Sequence, residues 1–228
     1  MKVVAVVPVK SVSERVASKN FREFFEGESL FDLLVGKLLK SSEIDEIYIS
    51  SNELSIKDKV EGLGCKFIKR DENFCNNKTP WSDVIANIAA SIPETNETSI
   101  AWCHTTSPLF DEHDAAIKSY KASASKDLYD GLITVSELSE FIVSENKQPI
   151  NYSWGPWHRY SQHLEKMYTI TYALFIATKE EMVKNRYVIS KNPEFYVVPP
   201  IQAIDVDTDY DFKLAQLLIE NKERFTND

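Results

Sequence analysis

The chain opens with an unbroken apolar run, Val3-Val4-Ala5-Val6-Val7, that stops at Pro8. A half-exposed strand alternates apolar and polar residues. A run apolar at every position reads instead as a parallel strand covered on both faces. That one segment points to an α/β protein with helices on both sides of an open sheet. Ligands of such sheets bind in the crevice beyond the carboxyl ends of the strands. The segment after Pro8 carries Lys10, Ser13, Arg15, Lys19 and Asn20. Three cations there stand out in a chain of formal net charge -9 at pH 7. They suit an anion, most simply the phosphates of a nucleotide. A solvated surface loop with scattered lysines is the competing reading, since the segment lacks the glycines of the usual phosphate-cradling loops.

Strand and helix patterns alternate through most of the remaining chain. Ser29 and Asp32 have capping-box spacing at the start of a helix through residue 39. Residues 47–50 read as strand, 55–63 as helix, 65–68 as strand, 81–91 as helix and 99–103 as buried strand. Asp111 and Asp114 are placed to cap a helix over 115–124, and 132–135 is a further strand. Residues 140–167 break this rhythm. They are rich in Tyr, Trp, Pro and His and include Trp154-Gly155-Pro156-Trp157-His158-Arg159. Such a composition suits an extended hairpin or arm that packs on a partner subunit. Regular patterns return with a strand over 172–177, a helix over 179–184, a strand over 195–198 and a helix over 210–221. The expected architecture is a three-layer α/β/α sandwich with a mostly parallel, Rossmann-like sheet. It forms one domain over 1–228, with 140–168 as a protruding dimerisation arm.

Composition excludes several classes. The acidic balance argues against nonspecific nucleic-acid binding, which needs a broad basic field. The first apolar run is too short for a signal peptide, and no other stretch is long enough to span a membrane. Three scattered cysteines, Cys65, Cys75 and Cys103, show no metal spacing and make an odd count. A reduced, cytoplasmic protein is the expectation.

Two further segments carry chemistry. In Ile204-Asp205-Val206-Asp207-Thr208-Asp209-Tyr210-Asp211, Asp205 and Asp207 share a side of an extended chain because side chains alternate with period two. Adjacent carboxylates repel unless a cation lies between them, and oxygen ligands of this kind suit Mg²⁺. Asp209 and Asp211 have a simpler role at a helix start, where Thr208 and Asp211 have capping-box spacing and acids complement the dipole. A helix-start reading of all four acids remains open. The other segment, His104-Thr105-Thr106-Ser107-Pro108-Leu109, follows a strand's carboxyl end. Its imidazole and hydroxyls could read a base or a sugar, or simply form a turn before a capped helix.

In this order and at these separations, the three segments resemble the acylneuraminate (sialic acid) cytidylyltransferase family, which includes enzymes that make CMP-sugars of related acids. Pro8-Val9-Lys10-Ser11-Val12-Ser13-Glu14-Arg15 with Lys19-Asn20 is similar to its basic N-terminal loop. His104-Thr105-Thr106-Ser107-Pro108-Leu109-Phe110 looks like its Gln-Pro-Thr-Ser-Pro-Leu-Arg motif, and Asp205-Val206-Asp207-Thr208 its Asp-Ile-Asp-Thr metal motif. Arg70, and the arm with Gln162, are weaker echoes. The resemblance implies in-line attack by the 2-hydroxyl of a 3-deoxy-2-ulosonic acid on the α-phosphate of CTP, with pyrophosphate leaving. Lys10, Arg15 and Lys19 would grip the triphosphate, with Ser13, Asn20 and Arg70 also on the nucleotide. Asp205 and Asp207 would hold Mg²⁺, with Asp207 counted among the catalytic groups. His104, Thr105, Ser107, Gln162 and Thr171 would contact the sugar. The resemblance also implies a homodimer.

The chain departs from the family pattern chiefly at the sugar end. Lys10 stands for an arginine and loses its bidentate fork. Ser11 and Val12 replace loop glycines, and Glu14 replaces a lysine. His104 and Thr105 replace glutamine and proline, and Thr171-Tyr172-Ala173 stands for Asn-Gly-Ala. Two other readings compete: a nucleotide-sugar-dependent glycosyltransferase, and a nucleotide-binding module that has lost catalysis.

Overall fold

The opening run forms β1 (Val3–Pro8), buried from Val3 through Val7. The computed structural model describes residues 1–10 and 16–225, so Ser13 and Arg15 lie outside the described residues. The remaining strands are β2 (Glu23–Phe25), β3 (Glu28–Ser29), β4 (Glu46–Ser51), β5 (Lys66–Lys69), β6 (Ser99–Cys103), β7 (Gly131–Leu138), β8 (Met167–Thr178) and β9 (Pro193–Val197). Among the described residues, seven form one sheet in the order β5-β4-β1-β6-β8-β7-β9. Only β8 runs against its neighbours, antiparallel to both β6 and β7, and the other pairings are parallel.

Side-chain alternation along β1 divides the core. Val3, Ala5 and Val7 pack on α1 (Leu30–Leu39), on α2 (Lys57–Gly62) through Val60, and on α4 (His113–Ala124). Val4 and Val6 face the other way, onto α3 (Trp81–Ser91) and, through Met182, α5 (Lys179–Asn185). This is the expected three-layer sandwich. A smaller cluster joins Phe24 of β2, Leu30 and Val16 to Val206 and to Phe212 and Ala215 of α6 (Asp209–Glu220).

Two helix starts behave as their sequences indicate. Ser29 and Asp32 form a reciprocal capping box on α1, and Thr208 and Asp211 form one on α6. The start of α4 does not. Its cap residue is Glu112, with no side-chain cap bond. Asp111 instead pairs with Lys37 and Lys222, and Asp114 accepts from Ser41 and Ser42. Both acids are drawn to partners outside their own helix. In the arm, a single isolated bridge joins Val143 to Pro149, and short 3-10 turns cover Gly155–Trp157 and Ser161–His163. The strand expected from residue 172 begins at Met167, so β8 takes in the end of the segment expected as arm.

Candidate active site

The carboxyl ends of β1 and β6 open into a cleft of about 520 Å³ whose walls include Lys10, Lys19, Asn20, Arg70, Trp81 and His104. Hydrogen bonds set each position. Arg70 follows β5 directly and is buried. Its guanidinium donates to the Val9 carbonyl and, through Nε, to Cys75 Sγ at 3.1 Å, tying the exit of β1 to the loop after β5. Burial also lowers the Arg70 pKa, while Cys75 and Glu72 act to raise it. Lys10 donates to Asn77 Oδ1 at 2.6 Å across the cleft mouth. Buried Asn20 donates to the Lys10 carbonyl at 3.2 Å and accepts from Thr105 Oγ1 at 2.8 Å. It therefore fastens the loop after β1 to the loop after β6.

Lys19 joins this cleft to the acidic segment. Its ammonium donates to the Val206 carbonyl at 2.8 Å and lies 3.6 Å from Asp207. Val206 is fully buried, and its N–H bonds to the Thr106 carbonyl at 2.8 Å, so Asp205 and Asp207 flank a fixed backbone point beside the His104 loop. Among the described residues no group of three or more His, Cys, Asp or Glu side chains could hold a metal ion. Two carboxylates are nonetheless the donor set that suits Mg²⁺, which commonly completes its shell with substrate phosphates and water. The residues present fit that ion.

The expected sugar-side residues divide. His104 lines the cleft, and burial together with the nearby Lys19 charge lowers its pKa to about 4. Thr105 also lines it, although its hydroxyl is already given to Asn20. Ser107 is buried and does not line the cleft. Thr171 is likewise buried, donating to Thr134 Oγ1 at 2.7 Å inside the sheet. Gln162 sits on the exposed arm and is not on the cleft wall of its own chain. Ser107 and Thr171 are thus turned into the protein, and Gln162 lies on the arm, away from this cleft wall.

One wall was missed. Phe74, Cys75, Asn76, Asn77, Lys78, Thr79, Pro80 and Trp81 line the cleft. By sequence that stretch is only the connection from the strand over 65–68 to the start of the helix over 81–91. Asn76 Oδ1 accepts from the N–H groups of both Lys78 and Thr79, folding the segment into an Asx turn. The available signal was Trp81, a large aromatic at the exposed start of α3.

Comparisons with known proteins bear on the family and the fold. Residues 4–189 match the family model described as Cytidylyltransferase. An N-acylneuraminate cytidylyltransferase of Escherichia coli O18:K1:H7 (strain RS218 / NMEC) is 22% identical over 227 residues, 98% of this chain and 53% of its own length. The chain thus spans about half of that curated relative. Among solved structures, a CMP:2-keto-3-deoxy-manno-octonic acid synthetase complexed with CTP superposes with a TM-score of 0.66 at 13% identity, covering 97% of this chain and 100% of that one. A 2-C-methyl-D-erythritol 4-phosphate cytidylyltransferase of Francisella tularensis gives 0.64 at 13% identity, covering 95% and 99%. At these identities the structural likeness speaks for the fold.

Proposed function

The chain belongs to the cytidylyltransferase family, and from that premise we propose that it is an enzyme transferring CMP from CTP to the 2-hydroxyl of an acidic 3-deoxy-2-ulosonic sugar. The new bond joins the sugar oxygen to the α-phosphorus as the bond to the β-phosphate oxygen breaks and pyrophosphate leaves. The observation that carries this reading is Lys19, a residue of the cleft wall whose ammonium reaches the Val206 carbonyl and Asp207. Phosphate grip and metal segment therefore meet at one side chain. Lys10, Lys19 and Arg70 supply positive charge to the nucleotide, and Asn20 holds the two loops in register. Asp205 and Asp207 would hold Mg²⁺, which neutralises phosphate charge when bound. Arg15 and Ser13, outside the described residues, are proposed for the same phosphates on the strength of the sequence resemblance.

The sugar end supports the acidic-sugar reading less directly. The names of its relatives cover an acylneuraminate, an octonic acid and an erythritol phosphate that has no carboxylate. His104 and Thr105 are the two expected sugar-side residues on the cleft. The arm at 140–168, with Trp154, Trp157 and Tyr160 exposed, would pack on a second copy, and a cytoplasmic location goes with this reading. Among the described residues no helix is long and apolar enough to cross a membrane.

The test is pyrophosphate release with CTP, Mg²⁺ and a panel holding N-acylneuraminic acids, 2-keto-3-deoxy-manno-octonic acid and 2-C-methyl-D-erythritol 4-phosphate. Turnover with an ulosonic acid, dependent on Mg²⁺ and lost in Asp207→Ala, is the expected result. Turnover with the erythritol phosphate alone would replace the acidic sugar. CTP binding by calorimetry without turnover would favour a nucleotide-binding module, a reading that half-exposed Tyr172 beside His104 gives some ground for.

A further inference from the structure

His104 follows β6 directly, and its surroundings define its protonation chemistry. Trp102, fully buried two residues earlier, donates its indole N–H to His104 Nε2 at 3.0 Å. An indole nitrogen only donates, so the nitrogen receiving it carries no proton. A neutral imidazole then holds its single proton on Nδ1, the nitrogen left available to a ligand in the cleft. Trp81, Trp102, Tyr172 and Phe175 surround the ring, with centroids 6.2, 6.4, 5.9 and 6.1 Å away. These rings offer no anion to stabilise an imidazolium. The charged group that acts on His104 is Lys19, which opposes a second positive charge.

We propose that Trp102 is a positioning residue that fixes His104 as its neutral Nδ1–H tautomer, so that His104 recognises the acceptor as a hydrogen-bond donor and takes no part as a general base. This deepens the cytidylyltransferase reading and rests on it for the identity of the cleft's second substrate. The matching acceptor presents an oxygen lone pair, from a hydroxyl, ring or carboxylate oxygen, to one N–H. Beside it, C–H groups of the sugar meet the half-exposed rings of Trp81 and Tyr172. Sugar-end selection is then by one oriented donor and an aromatic wall.

Two measurements separate this idea from the reading beneath it. Long-range ¹H–¹⁵N spectra of histidine-labelled protein report the tautomer without any turnover, with His104→Asn assigning the resonance. A protonated Nδ1 and a bare Nε2, unchanged from pH 5 to 8, are expected. A mixture of tautomers is expected in Trp102→Phe. An Nε2–H tautomer in the wild type, or titration within that range, would overturn the proposal. In kinetics with whichever sugar of the panel turns over, Trp102→Phe should raise the acceptor KM about two- to tenfold, the inverse of the fraction of His104 left as the Nδ1–H tautomer, and leave the CTP KM unchanged. His104→Asn places an amide N–H near the Nδ1 position and should keep KM within a few-fold. His104→Gln, which carries its amide toward the Nε2 position, should not. Equal acceptor KM values across all three variants would overturn the proposal. If Trp102→Phe does not fold, the wild-type tautomer and the Asn and Gln pair still decide. If no sugar turns over, the cytidylyltransferase reading fails and the spectra still decide the tautomer.

Discussion

Lys19 has two kinds of partner, and they predict different losses on substitution. As part of the fold it is a partly exposed ion pair with Asp207 plus one bond to the Val206 carbonyl, together worth about 1 kcal/mol. On the proposed function it also brings positive charge to the cleft, where charge would develop on the phosphates during transfer. A preorganised donor at such a place contributes on the order of 10²- to 10³-fold in rate. Lys19→Met should therefore lower pyrophosphate release by about that factor while the denaturation midpoint barely moves. Parallel loss of stability and rate would make Lys19 a structural tie between the β1 loop and the acidic segment. Arg70 is the contrasting case. Its guanidinium is buried and holds the Val9 carbonyl and Cys75 Sγ together, so a change there would confound folding with binding.

At the scale of elements, the device that shapes the protein beside His104 is an irregularity in β8. Between Ile133 and Val135 of β7, two positions apart, β8 runs from Phe175 to Ile170, five positions apart. The three extra residues form an irregular bulge. Thr134 Oγ1 holds it, donating to the Leu174 carbonyl at 3.1 Å and accepting from Leu174 N–H at 3.2 Å and Thr171 Oγ1 at 2.7 Å. Thr134→Val keeps the shape and leaves a buried N–H and a buried hydroxyl without that partner. A loss of about 1–3 kcal/mol is expected in urea unfolding, with a larger effect on the acceptor KM than on the CTP KM. An unchanged midpoint would mean that water replaces the hydroxyl. The bulge also explains what the sequence could not convey. Buried strands such as β1 and β6, and the capping boxes of α1 and α6, are local patterns, and each stands where its residues place it. The inward turn of Thr171 depends on Thr134, 37 residues earlier in the chain, and no local period records it. The β2–β3 hairpin was equally hidden. Its turn rests on Glu26 and Gly27 at φ 49° and 82°, between strands of three and two residues too short to show alternation. Asp111 and Asp114 have capping types at capping positions, yet lysines and serines from other elements claim them.

At the scale of the molecule, the antiparallel sense of β8 places the two ends of the site together. Cys103 at the carboxyl end of β6 pairs with Leu174, so the early half of β8 lies beside the loop that begins at His104, and Tyr172 meets the imidazole. A parallel strand in that slot would have sent its opposite end there. The same packing makes His104 hard to protonate, and His113 shares that state. His113 is buried at the start of α4 against Phe110, with ring centroids 4.6 Å apart, and burial with the Lys37 charge lowers its pKa to about 4. In the unfolded chain a histidine titrates near 6.5, so between about 6.5 and 4 the unfolded state binds more protons. Stability contributed by the two neutral imidazoles is therefore fully present above about pH 6.5 and is lost as pH falls toward 4. Each shift corresponds to at most about 3 kcal/mol, and two such terms matter against a total stability of about 5–15 kcal/mol. Asp32, Asp111 and Asp114, whose pKa values are lowered from 3.8, lose their contribution at lower pH, and Glu181, raised by burial, opposes the histidines. The fall from pH 7 to pH 5 should then belong mainly to the histidines. Urea midpoints measured across that range should drop in the wild-type protein and drop about half as steeply in His113→Gln. Equal slopes in the two proteins would show that His113 does not stay neutral in the fold, and a flat wild-type profile would remove both imidazoles from the account.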